Sequence, residues 1–279
     1  MTRKITTKLI SKFKNFLIEE EKSSHTIEKY IRDIRAFQSW LETRELNKSI
    51  VINYKKHLTE SFAASSVNSI ISSINSFFTF NEWYDLRVKA LRIQKQIFAN
   101  QCKELSKEEY EKLLEAAKAK SQRLYLLMQT ICSTGIRVSE LRHITVESAI
   151  QQQATIRCKG KSRVVILPKK LCKILINYAR NHSIKTGCIF VTKSGTPLDR
   201  SNIWKMMKSL CEEAKVLKSK VFPHNLRHLF ARTYYSIQKD IVRLADILGH
   251  SSIDTTRIYT VESGEIHRQQ IQKLGLLQI

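Results

Sequence analysis

The chain has 279 residues, of which 42% are hydrophobic, and its 48 lysines and arginines face only 25 aspartates and glutamates. This length suits two domains, and the hydrophobic fraction excludes a disordered chain. A net charge of +23 repels itself unless a polyanion neutralises it, so nucleic acid is the expected partner. A membrane surface suits the chain less, because its basic residues are spread along the sequence instead of forming one polybasic helix or tail.

Composition also bears on compartment and fold class. No apolar run approaches the roughly 20 residues of a membrane span, and the basic N-terminus lacks the apolar segment of a signal peptide. The six cysteines are scattered without a C-x-x-C pair, which favours free thiols in a reducing cytoplasm. With only 7 glycines and 3 prolines, the chain is expected to be mainly helical.

The first third predicts four helices, because apolar residues recur there at helical spacing near residues 9–17, 27–41, 50–58 and 67–78. The outer face of the second helix is basic, and its predicted DNA contacts are Lys29, Arg32 and Arg35. We therefore predict a helical bundle over residues 1–86, followed by a basic linker over residues 87–104.

Residues 105–279 predict a second domain of mixed α and β structure. Ser106 and Glu109 form a capping-box pattern, and Gly135 follows an apolar helix near residues 124–132. Two β-prone segments, 154–157 and 164–167, flank the turn C-K-G-K-S-R and predict a hairpin, to which residues 188–192 add a possible strand. Further helices are expected near 202–214, 225–237 and 241–248, then a short one through Tyr259 and a C-terminal one.

The residues of this second half suit the cleavage of a phosphodiester without a metal. That reaction needs guanidinium groups for the charge on the phosphate oxygens, a nucleophile that attacks in line, and an acid for the leaving oxygen. Four motifs supply these groups in order: T-G-I-R-V-S-E-L, C-K-G-K-S-R, P-H-N-L-R-H-L and L-G-H-S-S-I-D-T-T-R-I-Y-T.

These motifs resemble the tyrosine recombinase (phage integrase) family, most closely its Xer-type members. The resemblance covers about residues 105–260 and continues more weakly in the N-terminal half, where S-H-T-I-E-K-Y-I-R-D-I-R-A-F-Q-S-W-L looks like the family's DNA-clamping helical domain. It implies a SAM-like core-binding bundle joined to an α+β catalytic domain with a small antiparallel sheet. It also implies site-specific DNA recombination with no cofactor or metal, because each step exchanges one phosphoester for another.

The resemblance assigns a role to each catalytic position. Arg137 and Arg227 would clamp the scissile phosphate, and Tyr259 would attack it to form a 3′-phosphotyrosine. Lys159 would protonate the leaving 5′ hydroxyl, His224 would assist proton transfer at the tyrosine, and His250 would bind a phosphate oxygen. The family pattern G-K-G-x-x-x-R selects Lys159 over Lys161, but the turn is one residue shorter here, so this choice stays open. Lys161 and Arg163 are predicted as further DNA contacts.

Each of these residues also has an ordinary structural interpretation. Arg137 could pair with Glu140 one turn away, Lys159 could be a solvated turn residue, and Tyr259 could be a packed aromatic. We interpret His228, which shares a helix face with His224 and Arg227, as a structural residue that helps to orient the site. Only the ordered combination indicates catalysis.

The expected partner is double-stranded DNA with a specific recombination site, bound by a tetrameric synapse of this chain in the cytoplasm, in association with the nucleoid. The apolar tail after Tyr259 is a hypothetical contact between protomers, with packing on its own domain as the alternative. A second recombinase or an accessory factor stays open as a further partner. Rival functions are a type IB topoisomerase, a catalytically silent DNA-binding module and a helical RNA-binding protein.

Overall fold

The structure is a computed structural model that describes residues 3–93, 103–158, 161–259 and 272–274. The chain divides into two compact units, Met1–Lys95 and Gln96–Ile279. Each unit has its own hydrophobic core.

The first unit is built from four helices: α1 (Thr7–Glu19), α2 (Ser24–Leu41), α3 (Lys48–Ser61) and α4 (Ala64–Phe80). The first three begin at polar caps, because the side chains of Thr6, Ser23 and Asn47 accept backbone N–H groups of the first turn. Their apolar faces meet in a core rich in phenylalanine, including the edge-to-face pair of Phe13 and Phe77. The predicted bundle of four helices is confirmed.

The structure corrects the orientation predicted for one basic residue of α2. Arg32 and Arg35 are exposed, but Lys29 turns towards α4. The Lys29 ammonium donates to the buried carboxylate of Asp33 (2.6 Å), to the Ser69 carbonyl (3.0 Å) and to the Ser73 hydroxyl (2.9 Å). The three hydrogens of the ammonium thus have three acceptors inside the protein. Lys29 turns inward because the buried carboxylate of Asp33 needs a cationic partner.

The segment predicted as a linker partly belongs to the first unit. The backbone of Val88 is bound by the side chain of Asn75, and that of Leu91 by the side chain of Asn68. Both apolar side chains pack on the first core. Residues 94–102 of the predicted linker lie outside the described residues, and the boundaries at 86 and 104 stay predictions.

The second unit contains eight described helices: α5 (Lys107–Lys120), α6 (Gln122–Thr134), α7 (Val146–Ile150), α8 (Lys169–Asn181), α9 (Arg200–Lys208), α10 (Pro223–Gln238), α11 (Ile241–Leu248) and α12 (Ile253–Thr256). The Ser106–Glu109 capping box at α5 and the left-handed Gly135 after α6 are both confirmed. A 3-10 helix, Val138–His143, follows α6, and another, Arg257–Tyr259, follows α12. Helices α7 and α8 were not predicted from the sequence.

The predicted hairpin is confirmed as an antiparallel pair of β1 (Gln153–Cys158) and β2 (Lys161–Ile166), in which Cys158 faces Lys161. The strand predicted at residues 188–192 is wrong. Within the described residues Cys188 forms only an isolated bridge with Thr145, and Val191 forms one with Pro197. The sheet has two strands because residues 188–192 pair with loop segments instead of with the hairpin.

Among the described helices, none combines the length and the hydropathy that crossing a membrane requires.

Candidate active site

Arg227 is the buried centre of the site. It lies on α10, and only 1% of its surface is exposed. One terminal nitrogen donates to the Gly135 carbonyl (2.5 Å), and the other donates to the Leu248 carbonyl (2.8 Å). Burial, together with the charge of Arg137, lowers the pKa of Arg227 to about 10, so the guanidinium stays charged at neutral pH. Its Nε is buried with no partner among the described residues, so one donor is left for another acceptor.

Three arginines converge on the end of α11. Arg163 donates to the carbonyl of Ile247 (2.5 Å), Arg227 to that of Leu248, and Arg137 to that of Gly249 (3.4 Å). The last carbonyls of a helix have no partner within the helix and lie at the negative end of its dipole. Successive carbonyls of one helix end therefore gather cationic groups that are far apart in sequence.

Glu140 is the buried anion of this cluster. Its carboxylate accepts the backbone N–H of Arg137 (2.7 Å), the guanidinium of Arg137 (3.0 Å) and the guanidinium of Arg163 (2.7 Å). Burial alone would raise the pKa of Glu140, but these hydrogen bonds and the charge of Arg163 hold it below its usual value. The pairing of Arg137 with Glu140, which the sequence offered as the ordinary interpretation, is present in the site.

His250 has partners on both ring nitrogens. Nε2 lies 2.9 Å from a terminal nitrogen of Arg227, which can only donate, and Nδ1 lies 2.8 Å from the hydroxyl of the buried Thr256. Nε2 is therefore the acceptor, and Nδ1 carries the hydrogen that is donated to Thr256. Burial and the nearby charges, first that of Arg227, lower the pKa of His250 to about 4, in keeping with a neutral ring.

Tyr259 lies beside this cluster. The residue is 3% exposed, and its ring lies near two imidazoles, 4.8 Å from the ring of His228 and 6.0 Å from that of His250. Its phenol is close enough to Arg227 to raise the pKa of that guanidinium, against the larger effects of burial. A small core of Ala231, Leu244 and Leu248 packs around the tyrosine. The site therefore brings the tyrosine, two imidazoles and a buried guanidinium together.

His224 and His228 lie one turn apart on α10, and their ring centroids are 4.5 Å apart. Burial, the charge of His224 and those of nearby arginines lower the pKa of His228 to about 4. Partial burial and the charges of Arg227, Arg137 and Arg200 lower the pKa of His224 as well. Both rings are held towards the neutral form, in which an imidazole can accept a proton.

A pocket opens beside these groups. Its cavity volume is about 290 Å³, and Arg137, His224 and Arg227 are among the residues that line it. Sequence reasoning did not single out Arg200 and Trp204, which lie one turn apart on α9 and line the same pocket. No local pattern distinguishes them, since an arginine and a tryptophan near a helix start are ordinary surface residues.

The other predicted site residues have different outcomes. Lys159 lies outside the described residues, as does the tail 260–279 except for residues 272–274. Lys161 takes part in the β1–β2 ladder. Arg163, predicted as a DNA contact, is 16% exposed and has both terminal nitrogens engaged inside the protein. Within the described ranges, no group of three or more His, Cys, Asp or Glu side chains is placed to hold a metal ion.

The geometry defines a class of protein. A tyrosine beside clustered arginines and histidines, on a helical scaffold with one hairpin, is the arrangement of a tyrosine-type enzyme that breaks and rejoins DNA strands. Two family models match the chain: "Phage integrase family" over residues 103–265 and "Phage integrase, N-terminal SAM-like domain" over residues 10–84. The chain belongs to the phage integrase family and is a site-specific DNA recombinase.

Individual relatives agree with this assignment. The chain is 28% identical to tyrosine recombinase XerA of Thermococcus kodakarensis over 97% of its own length and 96% of the relative. It is 29% identical to tyrosine recombinase XerD of Staphylococcus aureus over 95% and 96% of the two chains. Because these relatives are recombinases, they do not favour the alternative functions, a topoisomerase or a catalytically silent DNA-binding module.

Solved structures share the fold. A lambda integrase dimer bound to a core site matches with a TM-score of 0.74 at 17% identity, over 93% of this chain and 95% of that one. The XerH recombinase bound to its difH substrate matches with a TM-score of 0.69 at 18% identity, over 96% and 85%. The predicted fold, a SAM-like helical bundle plus a catalytic domain with a small antiparallel sheet, is confirmed.

Proposed function

We propose that this recombinase cleaves DNA with Tyr259 and holds the break as a 3′-phosphotyrosine. The observation that supports this proposal is the position of Tyr259 next to the rings of His228 and His250 and beside the buried Arg227. A buried guanidinium in a site of low dielectric stabilises phosphate charge far more than an exposed one does.

Arg137 and Arg227 receive the non-bridging oxygens of the scissile phosphate. Both line the pocket, and Arg227 keeps one buried donor without a partner among the described residues. His224, on the same pocket wall, accepts the phenolic proton, because its lowered pKa keeps a free lone pair on the ring. His250 supports Arg227 in the free protein. When DNA binds, the phosphate charge favours protonation of His250 Nε2, which then donates to a phosphate oxygen instead of accepting from Arg227. Lys159 protonates the leaving 5′ hydroxyl, as its place in the family motif implies.

DNA phosphates are contacted by both units, with Arg32 and Arg35 as contacts from the exposed face of α2. Lys161 is a further contact beside the hairpin turn. We assign Lys29 and Arg163 to internal ion pairs instead, because Lys29 is paired with the buried Asp33 and Arg163 with the buried Glu140.

The active assembly is a tetramer on two duplexes. A lambda integrase tetramer bound to a Holliday junction shares the fold, with a TM-score of 0.71 at 17% identity over 90% of this chain and 76% of that one. Complete exchange between two duplexes breaks four strands, and each protomer supplies one tyrosine for one strand. We further propose that the apolar tail of the chain docks on a neighbouring protomer, and that DNA binding associates the enzyme with the nucleoid. Deletion of residues 274–279 should then abolish synapsis, which gel-shift assays with two labelled duplexes measure; unchanged synapsis would remove the tail from the assembly.

The deciding experiment is a suicide-substrate assay with nicked DNA taken from the flanks of the native gene. The wild-type chain should form a covalent adduct that survives denaturation, and Tyr259→Phe should form none while its Kd for the same DNA stays unchanged. Tyr234→Phe is the matched control, because Tyr234 lies on α10 and packs against the small core behind the site. An adduct in Tyr259→Phe, or its loss in Tyr234→Phe alone, would refute the assignment of the nucleophile.

A further inference from the structure

Arg163 has a place in the site that its predicted role as a DNA contact does not explain. It lies on β2, yet one terminal nitrogen donates to the Ile247 carbonyl at the end of α11 and the other to the carboxylate of Glu140. Its aliphatic stem passes Gly249 so closely that a Cβ at that position would overlap it. The side chain therefore joins the hairpin, the 3-10 helix after α6 and the end of α11.

We propose that Arg163 is a positioning residue for DNA cleavage, which keeps the carboxylate of Glu140 from neutralising Arg137. The inference rests on the proposed role of Arg137 as a phosphate clamp. Arg163 does not touch the phosphate in this proposal; it acts through Glu140.

The charges of the three side chains provide the reason. Glu140 contributes one negative charge, and Arg137 and Arg163 contribute one positive charge each. The cluster is thus left with one net positive charge, which can receive an anion. Without Arg163, the buried carboxylate and Arg137 would form a neutral pair, and the attraction for the phosphate would fall.

The hydrogen bonds lead to the same conclusion. Glu140 Oε2 accepts both from Arg163 and from the backbone N–H of Arg137, whereas Oε1 accepts from the Arg137 guanidinium. If Arg163 is removed, Oε2 keeps only the neutral backbone N–H of Arg137 as a donor, and the buried carboxylate turns towards the cation that is left. Arg137 is 41% exposed and has room to follow it.

The test compares two substrates that differ in the charge of the scissile phosphate. A methylphosphonate at that position replaces one charged non-bridging oxygen by a methyl group, so it needs less cationic stabilisation. On the ordinary phosphate, Arg163→Ala should cleave about 10- to 100-fold more slowly, because a small misplacement of a catalytic group can cost about 10²-fold in rate. On the methylphosphonate, the rate of each variant, Arg163→Ala and Arg137→Ala, should lie closer to the wild-type rate than it does on the phosphate.

A second variant separates charge balance from folding. In Arg163→Ala the excess of carboxylate charge can be removed by Glu140→Gln, so the double variant should cleave the phosphate substrate faster than Arg163→Ala alone. Arg180→Ala is the matched control, because Arg180 is exposed near the end of α8 and lies outside the cluster. It should cleave both substrates at the wild-type rate.

The outcomes distinguish this inference from the proposed function. If the rate loss in Arg137→Ala does not shrink on the methylphosphonate, Arg137 is not a phosphate clamp, and the proposed roles of Arg137 and Arg163 both fail. The suicide-substrate assay with Tyr259→Phe tests the nucleophile separately. If the rate loss shrinks on the methylphosphonate for Arg137→Ala but not for Arg163→Ala, only the role of Arg163 is overturned. The same holds if adding Glu140→Gln to Arg163→Ala does not raise the cleavage rate. A salt slope of DNA affinity that falls by about 0.9 in Arg163→Ala would also overturn it, because that is the sign of a lost phosphate contact.

Discussion

Arg137 and Arg227 share a proposed role at the phosphate, but their surroundings are different. Arg227 is buried and binds the carbonyls of Gly135 and Leu248, whereas the Arg137 side chain is 41% exposed. The buried arginine therefore also supports the structure, because it satisfies carbonyls at the ends of two helices.

The two alanine variants should consequently differ in stability. We expect Arg227→Ala to lower the free energy of unfolding by about 2–3 kcal/mol, because it leaves buried carbonyls without donors. Arg137→Ala should cost less than about 1 kcal/mol. Both should reduce cleavage by about 10²–10³ or more. Urea unfolding and single-turnover cleavage measure these quantities, and equal stability losses in the two variants would contradict the difference in environment.

The histidines of the site predict how stability depends on pH. The pKa of His228 and that of His250 are about 4 in the folded chain, against 6.5 in the absence of these surroundings. Between pH 6.5 and 4 the unfolded chain therefore binds protons that the folded chain refuses, so stability is complete above pH 6.5 and falls with acidification. Each histidine contributes at most about 1.4 kcal/mol per pH unit.

Urea unfolding at a series of pH values between 7 and 4 tests this expectation. His228→Gln should flatten the pH dependence, whereas His25→Gln, at an exposed position of α2, should leave it unchanged. A wild-type stability that does not change over this pH range would show that the two rings are not held neutral.

At the scale of elements, the ends of α6 and α11 position the arginines of the site. Both helices end at a glycine with positive φ, Gly135 at 66° and Gly249 at 64°. Each glycine presents its carbonyl to an arginine, Gly135 to Arg227 and Gly249 to Arg137. A Cβ would overlap Phe230 at the first position and Arg163 at the second. Glycine is therefore required at both positions for two reasons, the left-handed backbone and the close approach of a neighbouring side chain.

Gly249→Ala and Gly187→Ala form a matched pair for this element. Gly187 has a φ of 76°, but a Cβ there would meet nothing within 4 Å. Both variants should lose about 1–2 kcal/mol of stability from the strained backbone. Only Gly249→Ala should also slow cleavage, about tenfold or more, because it displaces Arg163 and the carbonyl that holds Arg137. Stability and single-turnover cleavage are measured for each, and equal cleavage rates would contradict this argument.

At the scale of the whole molecule, the net charge of +23 makes DNA binding strongly dependent on salt. If about ten phosphates are neutralised, the logarithm of affinity should fall against the logarithm of salt concentration with a slope near −9. Arg32→Ala should make this slope shallower by about 0.9. Lys29→Ala should leave the slope unchanged but destabilise the first unit, because Asp33 would lose its ammonium partner.

Titration of a labelled duplex by fluorescence anisotropy at several salt concentrations measures both slopes. If Lys29→Ala changed the salt slope as much as Arg32→Ala, Lys29 would be available to DNA.

Local patterns were sufficient for much of the fold. Apolar periodicity located α1 to α4, α10 and α11, and the capping box and Gly135 located the boundaries of α5 and α6. The resemblance of four motifs to a family supplied Arg137, His224, Arg227, His250 and Tyr259 as one site, which the described residues bring together. Helix α8 was not predicted. The strand predicted at residues 188–192 was wrong, because a short apolar segment does not reveal the partner with which it pairs.

The sequence by itself therefore determined the helical class and the basic character, since these depend on residue type and short-range spacing. The resemblance of its motifs to a family supplied the candidate site residues. Only the tertiary structure decided which of the basic side chains are free. Lys29 and Arg163 occupy positions that are ordinary for exposed residues, yet each is turned inward by a buried carboxylate, Asp33 in one unit and Glu140 in the other. The partner of a buried charge is set by packing between segments that are distant in the chain, and no local pattern records it.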